Sequence, residues 1–177
     1  MKIKPGNYKY GGSLPYEDYI FILDRFPVFC VDLMLVRNNN ISGIEVLLFK
    51  RRNDSHIGRW CMIGGRLWKG ETIKKALKRQ GEDIGVKFQF VPPFSSNLPI
   101  WINDKVKQVP SKQAVTAVYP AKITSEKIKK VGNEYTAYRW FNKEEILNKN
   151  KYQFAYDHKN KVVQSLKILE DIIRFKF

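Results

Sequence analysis

The sequence predicts an α+β fold, a mixed β-sheet sandwiched between helices (α/β/α), and three observations predict it. Runs rich in β-branched and aromatic residues recur between turn-forming residues, which is how strands read. A segment of helical period, 73–84, sits among those runs, and a second one closes the chain. The 177 residues, 44% hydrophobic and 28% charged, suit one domain over residues 1–177 with its own core.

Taken in order, 15–26 reads as a short helix, with Pro15 at its start and apolar Ile20, Ile22 and Leu23. Pro27 opens an extended run over 28–36. Asn38, Asn39, Asn40, Ser42 and Gly43 supply turn chemistry, and 44–51 is the returning strand. A short strand over 60–63 runs into Gly64-Gly65. In 73–84, Ile73, Ala76, Leu77 and Ile84 share one side of a helix. Strands follow at 86–91, Ala114–Ile123 and Tyr135–Phe141, then a short helix at Lys143–Leu147. The last helix carries Val162, Val163, Leu166, Leu169 and Ile173 on one side.

Composition narrows the function classes. No stretch reaches the roughly 18 uninterrupted apolar residues of a membrane span, and the N-terminal residues have no apolar core behind their charges. Cys30 and Cys61 sit among apolar neighbours, as reduced core residues of a cytoplasmic protein do. The net charge of +15 draws polyanions. The lysines are spread along the chain, without an arginine-rich tract or a run of five basic residues. Nucleic acid is therefore not the expected main partner; a phosphorylated small molecule accounts for the charge.

Residues 65–86 carry the chemistry. Gly65, Glu71 and Arg79 stand at fixed intervals, Gly85-Val86 closes the segment, and it lies where a strand, a loop and a helix succeed one another. Glycines let a backbone approach a metal-bound diphosphate, and a helix lifts carboxylates toward the same ion. The segment resembles the Nudix box, G-x5-E-x7-R-E-U-x-E-E-x-G-U, where U is a bulky aliphatic residue. Gln80 stands where the first glutamate after the arginine is usual, Gly81 replaces the next aliphatic, and five residues rather than six separate Arg79 from Gly85. Glu82 and Asp83 are thus the candidates for the paired acids. Helical phase ranks Asp83, near the edge of the core face, above Glu82 as the metal ligand. Gly81 costs roughly 1 kcal/mol inside a helix, so the helix is expected to end or distort near it.

The resemblance extends toward the GDP-mannose mannosyl hydrolase branch of that family. It is carried by residues 27–32, by Leu47-Leu48-Phe49-Lys50-Arg51-Arg52-Asn53, by 60–66 with Ile63 where proline is usual, by 67–72, and by Tyr138-Arg139-Trp140. It implies a Nudix fold and a Mg²⁺-dependent hydrolase, with Mn²⁺ as the alternative ion, of a nucleoside-diphosphate sugar, releasing sugar and nucleoside diphosphate by attack at the anomeric carbon. By the same resemblance Arg51 and Arg66 would grip the diphosphate, Asp32 would orient the nucleotide-sugar, and Asp83, with Glu82 second to it, would hold the metal together with a backbone carbonyl at Gly64 or Gly65. A homodimer is implied as well.

That branch takes its general base from a histidine in the loop before its YRW strand. Here the loop has no histidine, and Glu134 is the acid–base candidate. His158 reads as the first turn of the last helix behind Asp157, and His56 lies in the loop after Arg51. Two alternatives stand beside the sugar hydrolase. One is a pyrophosphohydrolase cleaving at phosphorus of a nucleotide-sugar, dinucleotide or nucleoside triphosphate. The other is a weak or inactive nucleotide-binding domain.

Overall fold

A computed structural model describes residues 15–52, 56–103, 113–125, 128, 131, 133–148 and 151–174. Asn53, the N-terminal residues, part of the loop before Tyr135 and the side chain of Ile173 lie outside the described set. In chain order the elements are α1 (Tyr16–Arg25), β1 (Val28–Asn39), β2 (Gly43–Arg51), β3 (Trp60–Cys61), β4 (Ile63–Arg66), α2 (Ile73–Asp83), β5 (Phe88–Phe90), β6 (Trp101–Asn103), β7 (Ala114–Ile123), β8 (Tyr135–Phe141), α3 (Lys143–Leu147) and α4 (His158–Arg174).

The sheet is mixed. Its path runs β3-β2-β1-β7-β5, with β4 on β1, β6 on β7 and β8 on β2. β1 and β7 pair in parallel over Val28–Val36, and the other ladders are antiparallel. β1 is buried along most of its length, because both faces of the sheet are covered. On one face Val31, Leu33 and Leu35 meet Ala76 and Leu77 of α2 and Ile84 just past its end. On the other, Met34 and Val36 meet Val162, Leu166 and Leu169 of α4 and Ile146 of α3. The period-two alternation along β1 thus feeds two cores.

Three expectations are corrected. β1 does not stop at Val36: Arg37, Asn38 and Asn39 pair with Glu45, Ile44 and Gly43. There Glu45 accepts from Arg37, Asn39 and Ser42, so the asparagines serve the ladder as well as the turn. The run 60–63 is two strands, because Trp60–Cys61 pairs with β2 whereas Ile63–Arg66 pairs with β1. β6, where the sequence predicts only connection, is a short strand on β7. Both cysteines are buried thiols outside any disulfide, as expected. Burial pushes the Cys61 thiol up to about 12. Among the described residues no helix is long and apolar enough to cross a membrane.

Candidate active site

Three elements build the site: β4, which lies antiparallel on β1; the loop that leaves it; and α2, which folds back onto the sheet. The loop is closed from the helix. Arg79 Nε and Nη2 donate to the two carboxylate oxygens of Glu71, both at 2.9 Å, and Nη2 also donates to the Arg66 carbonyl at 3.2 Å. The Arg79 guanidinium lies 3.8 Å from the centroid of the Trp68 ring, and the Trp68 N–H donates to Glu71 at 3.1 Å. A planar fork of donors suits this arrangement, since it bonds a carboxylate with two parallel hydrogen bonds while stacking on a ring. Those hydrogen bonds hold the Glu71 carboxyl below the usual carboxylate range. Thr72 caps the helix, its side chain accepting from the Lys75 N–H. Glu71 and Arg79 therefore act here as the clamp that shapes the glycine loop.

The core face of α2 is wider than the sequence reading gave it. Gln80 and Gly81 are buried with Ala76 and Leu77, completing an i, i+3, i+4, i+7, i+8 stripe. Gln80 Nε2 donates to the Val31 carbonyl at 3.0 Å, and Val31 is the residue that pairs with Gly65. A glutamate at 80 could not make that bond, since carboxylate and carbonyl are both acceptors. Gly81 is a packing glycine: a Cβ there would lie 3.1 Å from two carbons of the Phe88 ring. The helix runs two residues past it to Asp83. Val86 N–H then bonds back to the Gly81 carbonyl, and Gly85 turns with φ 67°. The shortened segment carries Ile84 into the core, fully buried, while Glu82 and Asp83 are exposed.

Under the glycine strand lies a buried ion pair that the sequence did not reveal. Asp32 is 4% exposed and Lys161 6%, and Lys161 Nζ donates to Asp32 Oδ2 at 2.9 Å. Asp32, expected to orient the nucleotide-sugar or to meet a buried structural partner, has its charge met inside the protein by a residue of α4. The Asp32 carboxylate lies over Gly64, where a Cβ would overlap Oδ1 and sit 2.9 Å from the Val31 carbonyl. His158 completes the group. Its Nδ1 accepts from the Met62 N–H at 3.2 Å and lies 4.0 Å from Asp32 Oδ2. Burial pushes the imidazole down to about 3, so it is neutral. As expected, His158 opens α4. Lys161 has no local signal, since it lies about 100° around the helix from Val162, at the margin of the apolar stripe.

The remaining candidates sit at the end of β2. Arg51 pairs in register with Tyr135 of β8, and the Arg52 N–H donates to the carbonyl of exposed Glu134 at 2.8 Å. Arg51 lies 5.4 Å from the centroid of the Tyr156 ring, and His56 stacks on the same ring at 4.1 Å between centroids. Arg66 ends β4 beside Cys30 of β1.

A model of the NUDIX domain family matches residues 29–162, most of the chain. The chain belongs to the Nudix hydrolase family. No curated protein matches it by sequence. Among solved structures it is similar to a MutT/nudix family protein from Enterococcus faecalis, with TM-score 0.64 and 19% identity, covering 82% of this chain and 62% of that one. This chain thus spans about three fifths of that protein's length. It is also similar to the NUDIX domain of Shewanella oneidensis NrtR complexed with ADP ribose (TM-score 0.59, 17% identity, 88% and 99% covered). A third likeness is to a possible asymmetric diadenosine tetraphosphate hydrolase from Jonesia denitrificans (TM-score 0.66, 19% identity, 82% and 96% covered). These likenesses are of fold.

Nudix hydrolases generally use divalent metals such as Mg²⁺, and the residues present here do not fit a resident metal cage. Among the described residues no group of three histidines, cysteines or acids converges as a metal site. Gln80, at the box position for a first carboxylate, is neutral and its Nε2 is turned to Val31, while its buried Oε1 makes no hydrogen bond. Ile84 is apolar and buried. Glu82 lies 3.7 Å from Lys78, and both are exposed. One exposed acid, Asp83, remains in helical phase with the box, and the space above Gly65 is open, since a Cβ there would meet nothing within 4 Å.

The buried neutral His158 has a testable consequence. Its folded-state pKa of about 3 lies below the ordinary 6.5, so the unfolded chain binds the proton more readily. Its contribution to stability is present above pH 6.5 and is lost as pH falls toward 3. Glu45 and Glu71 titrate below 4.5, which leaves pH 6.5 to 5 as the histidine's own window. Denaturant unfolding should lose stability across it, and His158→Asn should flatten the slope. An unchanged slope in that variant would mean the proton is taken up elsewhere.

Proposed function

We propose that this Nudix hydrolase cleaves a nucleoside-diphosphate sugar by displacing the nucleoside diphosphate from the anomeric carbon. The observation that carries the reading is the poverty of carboxylates on α2 beside an intact Glu71–Arg79 clamp. Activation of water on phosphorus calls for a dense acid cage around a metal. Departure of a diphosphate calls mainly for positive charge, which Arg51 and Arg66 supply as paired donors to phosphate oxygens. In this reading water adds to the anomeric carbon, the bond from that carbon to the diphosphate oxygen breaks, and the water proton passes to a base. Glu134 is our assignment for the base, because it precedes Tyr135, the register partner of Arg51, and its carbonyl accepts from the Arg52 N–H. Asp83 is assigned to any cation that arrives with the diphosphate, in preference to Glu82, which is engaged with Lys78.

Turnover in ¹⁸O-water tests the proposal. Label in the free sugar, with a nucleoside diphosphate as second product, is the expected outcome; label in phosphate, with a nucleoside monophosphate, defeats it in favour of cleavage at phosphorus. Asp83→Ala should lower kcat/KM by roughly tenfold or more, the loss of one charged contact, while Glu82→Ala should change it less than about twofold. The reverse order would reassign the acid. Inactivity across a panel of nucleotide-sugars with Mg²⁺ or Mn²⁺ would leave a binding domain as the reading.

A further inference from the structure

Ahead of α4, residues 152–156 lie along the free side of β3. The Trp60 N–H donates to the Gln153 carbonyl and the Ala155 N–H to the Trp60 carbonyl, both at 2.9 Å, and Phe154 bridges Trp60 in parallel. Tyr152 and Phe154 stand two residues apart along this segment, half-buried with their rings against Phe141, and Tyr156 follows in the turn ahead of α4. With Arg59, Gln153 and Lys159 they line an open groove of about 410 Å³.

Two features mark the groove as more than a solvated edge. Tyr156 is a tyrosine at φ 48°, a backbone state that bulky residues rarely occupy and that tends to persist where surroundings enforce it. Its ring is held by His56 and Arg51, yet the residue is 43% exposed. The second feature is charge. Lys159 lies 5.9 Å from the Phe154 ring, and Lys151 and Arg139 lie 5.5 and 5.2 Å from that of Tyr152. Arg139 is paired with Glu145, and Asp157 adds one acid beside the groove, accepting from Asn160. Arg59, Lys151 and Lys159 leave the rim cationic, on a chain of net charge +15.

We infer that this groove binds a single-stranded nucleic acid, bases stacking on the aromatic rings and phosphates meeting the basic rim. Ring faces with flanking cations take unpaired bases of any sequence, because every base offers a π face and every linkage a charge. A duplex hides its base faces in its own stack and lacks the first of these contacts. The Tyr156 ring touches Arg51, but Arg59 and Lys159 are not among the residues assigned to hydrolysis, so the groove can be tested apart from it. The basic residues are scattered in sequence, and the fold gathers them.

Fluorescence anisotropy with a labelled single-stranded probe of about twelve nucleotides, within the usual span of such sites, tests the inference. Oligo-U and oligo-dT arms show whether the sugar matters. Binding is expected with affinity falling linearly in log salt, and a duplex of equal length should bind at least about fivefold more weakly. The double variant Arg59→Glu/Lys159→Glu should weaken binding about tenfold or more, against less than about twofold for the exposed control Lys122→Glu. Tyr156→Gly, which suits the left-handed backbone, should weaken it about fivefold. Nucleotide-sugar turnover by Arg59→Glu/Lys159→Glu should match the parent, and that readout separates this site from the hydrolytic one. Equal losses in control and groove variants would reduce the binding to diffuse charge and overturn the assignment. So would equal affinity for duplex, or retention on phosphatidylserine vesicles with no oligonucleotide bound.

Discussion

Lys161→Met is expected to cost the folded protein about 3–5 kcal/mol, the penalty for leaving one member of a buried ion pair without the other. Asp32 is 4% exposed, and its Oδ2 takes the Lys161 ammonium at 2.9 Å. The neighbouring imidazole offers no replacement charge, because burial keeps it neutral. Methionine matches the length of the lysine stem, so packing is largely kept and the loss reports on charge. Two-state denaturant unfolding measures it. Adding Asp32→Asn should return at least half of the loss, because the stranded carboxylate is then gone. A single variant within about 0.5 kcal/mol of the parent, the range of an ordinary surface substitution, would show that the pair is not buried in solution.

Gly64→Ala is expected to destabilise the protein by about 3 kcal/mol, the upper part of the usual range for overpacking, and to abolish most turnover. The added methyl would overlap Asp32 Oδ1 and press on the Val31 carbonyl at 2.9 Å. Neither neighbour yields easily. The carboxylate is tied to Lys161, and the carbonyl belongs to the strand that pairs with Gly65. β4 must therefore lift from β1, taking with it the loop that Arg79 clamps through the Arg66 carbonyl. Gly65→Ala is the matched control, since nothing lies within 4 Å of its added atom. Equal unfolding midpoints for the two variants would refute the close approach.

Much of the fold was legible because its signals are local. β7, β8 and α3 have the bounds read from the sequence, each being a dense apolar run or an N-capped turn. α3 opens on Asn142, whose side chain accepts from Glu145 in a reciprocal capping box. β6 escaped because three residues carry no period, and it exists only where β7 offers a partner. In α2 the apolar count passed over Gln80 and Gly81. One is a polar residue serving the Val31 carbonyl, and the other is a space filled by Phe88. Neither fact has a local trace.

The sequence by itself determined the family, the order of the elements apart from β6 and the break between β3 and β4, the burial of both cysteines and the fixed places of Glu71 and Arg79, because spacing and hydrophobic period are properties of neighbours in the chain. Only the tertiary structure decided that Asp32 answers to Lys161, 129 positions away, that Gln80 and Gly81 join the core face while Asp83 stays in solvent, and that rings and cations line one groove. The physical reason is that a charge or a polar atom takes its meaning from what lies opposite it in space. Burial sets that pairing only once the sheet has brought its two faces against the helices.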